Sequence, residues 1–158
     1  MRVDLGGHVV SQFSYIGKKR LEKAAEQAGI ALEVHWHSYQ LDQNAPQRQE
    51  TSNTERLAAK YNRSIEEVEQ MQRNIADMAK EEGIEFNWEN ANSGNTFNAH
   101  RIIHLAQSQG LGSEAKEAFF FSYMTQGLAI GERETLEDVA ARIGLNPVEV
   151  DNVLDSDE

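Results

Sequence analysis

The chain has 158 residues, 39% of them apolar and 26% charged, enough for one domain with a core of its own. It holds no cysteine, which excludes a disulfide scaffold, thiolate metal sites, iron–sulfur clusters and a cysteine nucleophile. The formal net charge is −11, and from Glu132 onward nine acidic residues stand against Arg133 and Arg142 alone, a balance that repels nucleic acid and anionic membrane.

The first residues carry Val3, Leu5, Val9 and Val10, which read as a short strand over 2–5 and 9–10 running into a loop. Helical spacing follows from Ser14 to Ala28, with Leu21, Ala24, Ala25 and Ala28 on one stripe and Gly29 at its end. Lys18, Lys19, Arg20 and Lys23 form the one basic cluster, expected to be a solvated helix face. Ala31 to His37 alternates Leu32, Val34 and Trp36 with Glu33, His35 and His37, the period of a strand. Strand, helix and strand at this spacing predict a parallel βαβ unit.

The polar segment Gln43–Thr51, with Pro46, reads as a loop, and helices dominate beyond it. Ser52 with Glu55, and Ser64 with Glu67, fit capping boxes. Ile65, Val68, Met71, Ile75, Met78 and Ala79 form an amphipathic stripe ending at Gly83, its methionines expected in the core. Gly83 to Gly94 reads as a loop with an extended piece, Ile84–Trp88. Helices are predicted over Thr96–Gln109 and Ser113–Gln126, the second covered on more than one side because Phe119, Phe120 and Phe121 point three ways. Thr135 and Asp138 are expected to cap a short helix ending at Gly144, and Asn146-Pro147 to open the last one.

No segment approaches 18 consecutive apolar residues, and Met1–Gly7 lacks a hydrophobic signal region, so a cytoplasmic location is expected. His35 with His37, and His100 with His104, have spacings that can bind metal, but neither pair has an evident third ligand and no metal site is expected. The junction Ser11-Gln12-Phe13-Ser14-Tyr15-Ile16-Gly17 leaves a strand and opens a helix. A helix N-terminus offers unpaired N–H groups and the positive end of the dipole, which favour a thiolate or another anion. The same residues also fit a plain serine N-cap.

The stretch Val9-Val10-Ser11-Gln12-Phe13-Ser14-Tyr15-Ile16-Gly17-Lys18-Lys19-Arg20-Leu21-Glu22 resembles the active-site segment of the DsbA-like FrnE family, V-C-P-W/F-C-Y-I-G-K-R-R-L-E. The resemblance continues in Trp36-His37-Ser38-Tyr39-Gln40-Leu41-Asp42, in Asn95-Thr96-Phe97-Asn98-Ala99-His100-Arg101 and in Gly127-Leu128-Ala129-Ile130-Gly131. It implies an α/β fold: a thioredoxin-like βαβ unit over residues 1–42 and a large helical insertion over 43–158. It also implies thiol–disulfide exchange on protein substrates, and kinship with 2-hydroxychromene-2-carboxylate isomerases and kappa-class glutathione transferases.

Two departures matter. Ser11 and Ser14 stand at both cysteine positions, and a hydroxyl cannot exchange a disulfide, so the chain as written is expected to be redox-inactive. The family also continues beyond the motifs matched here with further strands and a G-V-P loop. Pro46 and Pro147 have no such context, so the sheet is expected to be incomplete in this chain and a homo-oligomer is expected to cover it.

Ser11 and Ser14 therefore mark the site that the resemblance implies, with Phe13, Tyr15 and His8 beside it. His100 is expected to be a satisfied structural histidine. Three functions stay open: a redox-inactive DsbA-like protein needing no cofactor, a glutathione-dependent transferase or isomerase in which Ser11 holds a thiolate, and a non-catalytic helical interaction module.

Overall fold

The computed structural model describes residues 1–156. Strand β1 (Arg2–Gly7) leads through a turn into helix α1 (Gln12–Gln27), which returns to strand β2 (Glu33–Ser38). The two strands pair in parallel, from Arg2 opposite Glu33 to Gly7 opposite Ser38, as the spacing predicts. Val9 and Val10 are not strand. They form the turn into α1, with Val9 fully buried, and the helix opens two residues earlier than Ser14. On β2, Trp36 is buried and Glu33 and His37 are exposed, so the polar face looks outward. The backbone amide of Trp36 donates to the Gln107 side chain at 3.2 Å, so a polar side chain guards that strand edge.

The rest is helical: α2 (Asn53–Tyr61), α3 (Ile65–Glu81), a 3₁₀ turn at Trp88–Asn90, α4 (Phe97–Ser108), α5 (Gly112–Met124), α6 (Arg133–Arg142) and α7 (Pro147–Asp155). Both predicted capping boxes form. The Ser52 and Ser64 hydroxyls accept from the amides of Glu55 and Glu67, whose carboxylates reach back. Asn146 caps α7, with Pro147 at its first position.

The loop expected over Gly83–Gly94 forms around Ile84–Trp88. It is irregular chain held to the end of α5 by the Asn87 amide on the Met124 carbonyl (2.8 Å) and by the Thr125 hydroxyl on the Glu85 carbonyl (2.7 Å). Thr135 does not cap α6, which starts at Arg133. That start is favoured because Arg133 ties α6 to Asp151 and Asp155 on α7. Helix α5 is covered on more than one side, as expected: Phe119 and Phe120 are fully buried, and Phe121, 44% exposed, marks its open flank.

A single core runs through Tyr15, Trp36, Ile102, Phe119, Phe120, Leu136 and Val150, joining the βαβ unit to the helices. Helix α5 lies at its centre, against β2, α1, α4 and α6. No described helix is long and apolar enough to cross a membrane.

Candidate functional site

Ser11 has an extended backbone and caps α1: its Oγ accepts the Ser14 amide at 3.2 Å, and its carbonyl accepts that of Tyr15. The plain N-cap and the anion-ready turn are thus one structure. Capping uses the lone pairs of Oγ, so the Ser11 hydroxyl still has its proton to give. Gly7 brings the end of β1 against this turn. A Cβ there would stand 3.1 Å from the Trp36 ring and 3.5 Å from Ser14 Oγ, so no larger residue fits without displacement.

His8 is buried and held at both nitrogens. The Val10 amide donates to Nδ1 (3.3 Å), so the neutral ring carries its proton on Nε2 and gives it to Thr96 Oγ1 (3.0 Å). Burial, with the charge of Lys116 added, pulls the His8 pKa down to about 4. His100 lies edge-on to His8, with ring centroids 5.4 Å apart. The expectation that His100 is satisfied is wrong. It is 5% exposed, and neither ring nitrogen has a partner among the described residues. Burial and then Lys116 push its pKa down to about 3, while the nearby Tyr39 backbone favours the protonated ring only slightly.

Phe13 is 60% exposed on the first turn of α1. Tyr15 does not join it. Its ring stacks on Phe120 at 4.6 Å in the core, and its hydroxyl donates to Glu117 at 2.6 Å, so the expected place for Tyr15 beside Ser11 is corrected. The tyrosine lies on the buried side of α1 with Ile16, Lys18 and Ala25. The basic cluster is a solvated face only in part: Arg20 and Lys23 are exposed, Lys19 is half-buried and Lys18 is buried. Lys18 is 5% exposed and bound to Glu117 and Glu22, Lys19 meets Glu117, and Arg20 and Lys23 meet Glu82. For Lys18, burial works against the charge, yet its two carboxylate partners win and its pKa is raised.

Lys116 was not singled out from the sequence. It is fully buried on α5, donates to the Gly7 carbonyl at 3.1 Å and lies 4.7 Å from the centre of the Trp36 ring. Burial pulls its pKa down to about 8. Its spacing to Phe119, Phe120 and Tyr123, at i+3, i+4 and i+7, was the available signal that it sits on the buried stripe.

The remaining motifs fix the loop over the site. Asn95 donates to the Ala45 carbonyl (2.9 Å) and accepts from the Phe97 amide (2.9 Å). Gly94 and Gly131 both abut the Gln47 carbonyl, where neither has room for a Cβ. Away from this region, His35 meets Glu33 and His37 meets Asp4 on the exposed sheet face. A cavity of about 1020 Å³ opens beside the α1 turn and runs between it and helices α2 and α3. Ser11, Phe13 and His8 line it, together with Arg56, Met71 and Tyr123.

The arrangement can hold an anion or thiolate at Ser11 beside a partly apolar cavity, with a neutral His8 behind it. No curated protein matches the chain. Among solved structures, it resembles a probable DsbA oxidoreductase from Streptomyces coelicolor with a TM-score of 0.89 and 28% identity, over 99% of this chain and 68% of that one. It also resembles a 2-hydroxychromene-2-carboxylate isomerase with a TM-score of 0.64 and 16% identity, over 99% of this chain and 72% of that one, a likeness of fold alone. The profile of the DSBA-like thioredoxin domain matches residues 3–158. A serine-capped turn at the end of β1, inside a match that spans nearly every residue, places this chain in the DSBA-like thioredoxin domain family.

Proposed function

We propose that the chain is a DsbA-family protein that does not exchange disulfides and uses the family's turn as a binding site, with thiol- or disulfide-bearing proteins as the partner class. One observation carries the reading: Ser11 and Ser14 occupy the turn with its helix-capping geometry complete, in a chain with no cysteine. A serine alkoxide is not available near neutral pH, and an oxygen nucleophile does not carry thiol–disulfide exchange. Insulin reduction tests this. The protein as it stands should not exceed the uncatalysed rate, whereas the double variant Ser11→Cys/Ser14→Cys should. Activity without the substitutions, or none with them, would refute the reading.

A second reading is glutathione-dependent transferase or isomerase chemistry. The observation that favours it is the Ser11 hydroxyl proton, left free by the capping bond and able to donate to a thiolate. Titrating glutathione's thiolate absorbance with and without the protein tests it, with Ser11→Ala as control. A third reading, a non-catalytic interaction module, is left if neither assay responds.

A cytoplasmic location belongs to the same proposal and is read by cell fractionation. So does self-assembly: among the described residues β1 has β2 on one side only, and a second copy is the proposed cover for its other edge. Light scattering should give a mass above the 17.8 kDa of one chain.

A further inference from the structure

Two arginines beyond β2, Arg56 and Arg101, meet no carboxylate among the described residues; Arg101 spends its donors on Asn98 and Ser156. Arg20, Arg48, Arg63, Arg73, Arg133 and Arg142 each meet a carboxylate. Arg56, half-buried on α2, meets none among the described residues; its one hydrogen bond is from Nη1 to Ser93 Oγ at 2.8 Å. A guanidinium has five N–H donors in a planar fork suited to a carboxylate, so most of this one's donors are unspent. Arg56 thus has one hydrogen bond where Arg101, equally half-buried, has three.

Arg56 lines the cavity described above, and so does Tyr123. Tyr123 is 1% exposed. Burial raises the Tyr123 pKa to about 12, and the charge of Arg56 acts against that rise, so the two groups share one field. The phenol stays protonated and available as a second donor. The same cavity is also lined by the aliphatic and thioether side chains of Leu57, Met71, Ile75 and Met78. Unbranched, flexible methionines adapt their shape to an apolar occupant. The carboxylates on the lining do not compete for Arg56: Glu67 is committed to the Ser64 cap and Asp42 to the Asn44 amide.

We propose that this cavity binds an aliphatic carboxylate, its head group on Arg56 and the Tyr123 hydroxyl and its alkyl chain along Met71, Ile75 and Met78. The site uses neither Ser11 nor Ser14, and so goes beyond the binding readings above. The charged head supplies the counter-ion that Arg56 lacks, and the alkyl chain removes apolar wall from water.

Calorimetric titration with three probes of one chain length tests this: decanoate, decan-1-ol and decyltrimethylammonium, each below its micellar range. Saturable one-to-one binding of decanoate is expected, tighter than either other probe by about tenfold or more. Arg56→Gln should bring decanoate down to the level of decanol while leaving decanol unchanged. Equal binding of the three probes by the unmodified protein, or no saturation by decanoate, overturns the proposal whether or not the variant folds. An Arg56→Gln protein that keeps the preference also overturns it. Protein that binds decanoate but not glutathione loses only the glutathione reading; the reverse loses only this one.

Discussion

The buried amine of Lys116 should make stability depend on pH in a way that one substitution removes. Its pKa falls from 10.5 to about 8 on folding because burial disfavours the ammonium. Between those values the unfolded chain holds more protons than the folded one, so stability rises with pH through that window. At pH 7 the group is charged in both states, and the folded chain carries the full cost, about 3 kcal/mol. By pH 9.5 most folded molecules have released the proton, and the remaining cost is about 1.4 kcal/mol, a gain of about 2 kcal/mol. Lys116→Met removes the charge but also the bond to the Gly7 carbonyl, worth about 1 kcal/mol. Absolute stability at neutral pH mixes these opposing effects, so the informative quantity is a difference of differences. Urea unfolding of both proteins at pH 7 and 9.5 should show the unmodified protein gaining about 2 kcal/mol relative to the variant. Tyrosines that titrate only in the unfolded chain affect both proteins alike and drop out. A stability difference that stays constant between the two pH values would refute the reasoning.

Three further outcomes are expected. The pKa values of His8 and His100 are lowered to about 4 and 3, so as pH falls below 6.5 the unfolded chain takes up protons first and stability is lost down to about pH 3. His100→Leu should flatten that acid limb with little cost at pH 7, since the ring has no hydrogen bonds to lose; this is read by urea midpoints across pH 4–7. Gly131→Ala should lower the melting temperature by an amount matching about 2 kcal/mol or more, because the added methyl meets the Gln47 carbonyl. Tyr15→Phe should cost about 1–2 kcal/mol in chemical unfolding, the loss of a hydrogen bond to the charged Glu117.

Much of the fold was legible in the sequence because its signals are local. The Ser52 and Ser64 boxes need only a serine and a glutamate three residues on, and the βαβ unit needs only a change of period from two to 3.6. Where reading failed, a distant partner decided the outcome. Thr135 and Asp138 look like a cap, but α6 begins earlier, where Arg133 can reach Asp151 and Asp155 on α7. The lysines of α1 look solvated until Glu117, about a hundred residues on, clamps Lys18. Tyr15 follows Ser14 in the motif, yet Phe120 and Glu117 hold it in the core. At the site, Ser11, Phe13 and His8 were legible from the turn motif, and all three line one cavity. Arg56 and Tyr123 were not, since nothing in sequence tells a paired arginine from an unpaired one.

Both binding readings of the turn rest on its ability to stabilise an anion at position 11. The thiol pKa of a single Ser11→Cys variant measures that directly, because the chain has no other cysteine and thiolate absorbance then reports one group. The helix N-terminus and the Ser14 amide should hold this thiol well below the ordinary value of about 8.5. A thiol titrating at or above that value would contradict the account.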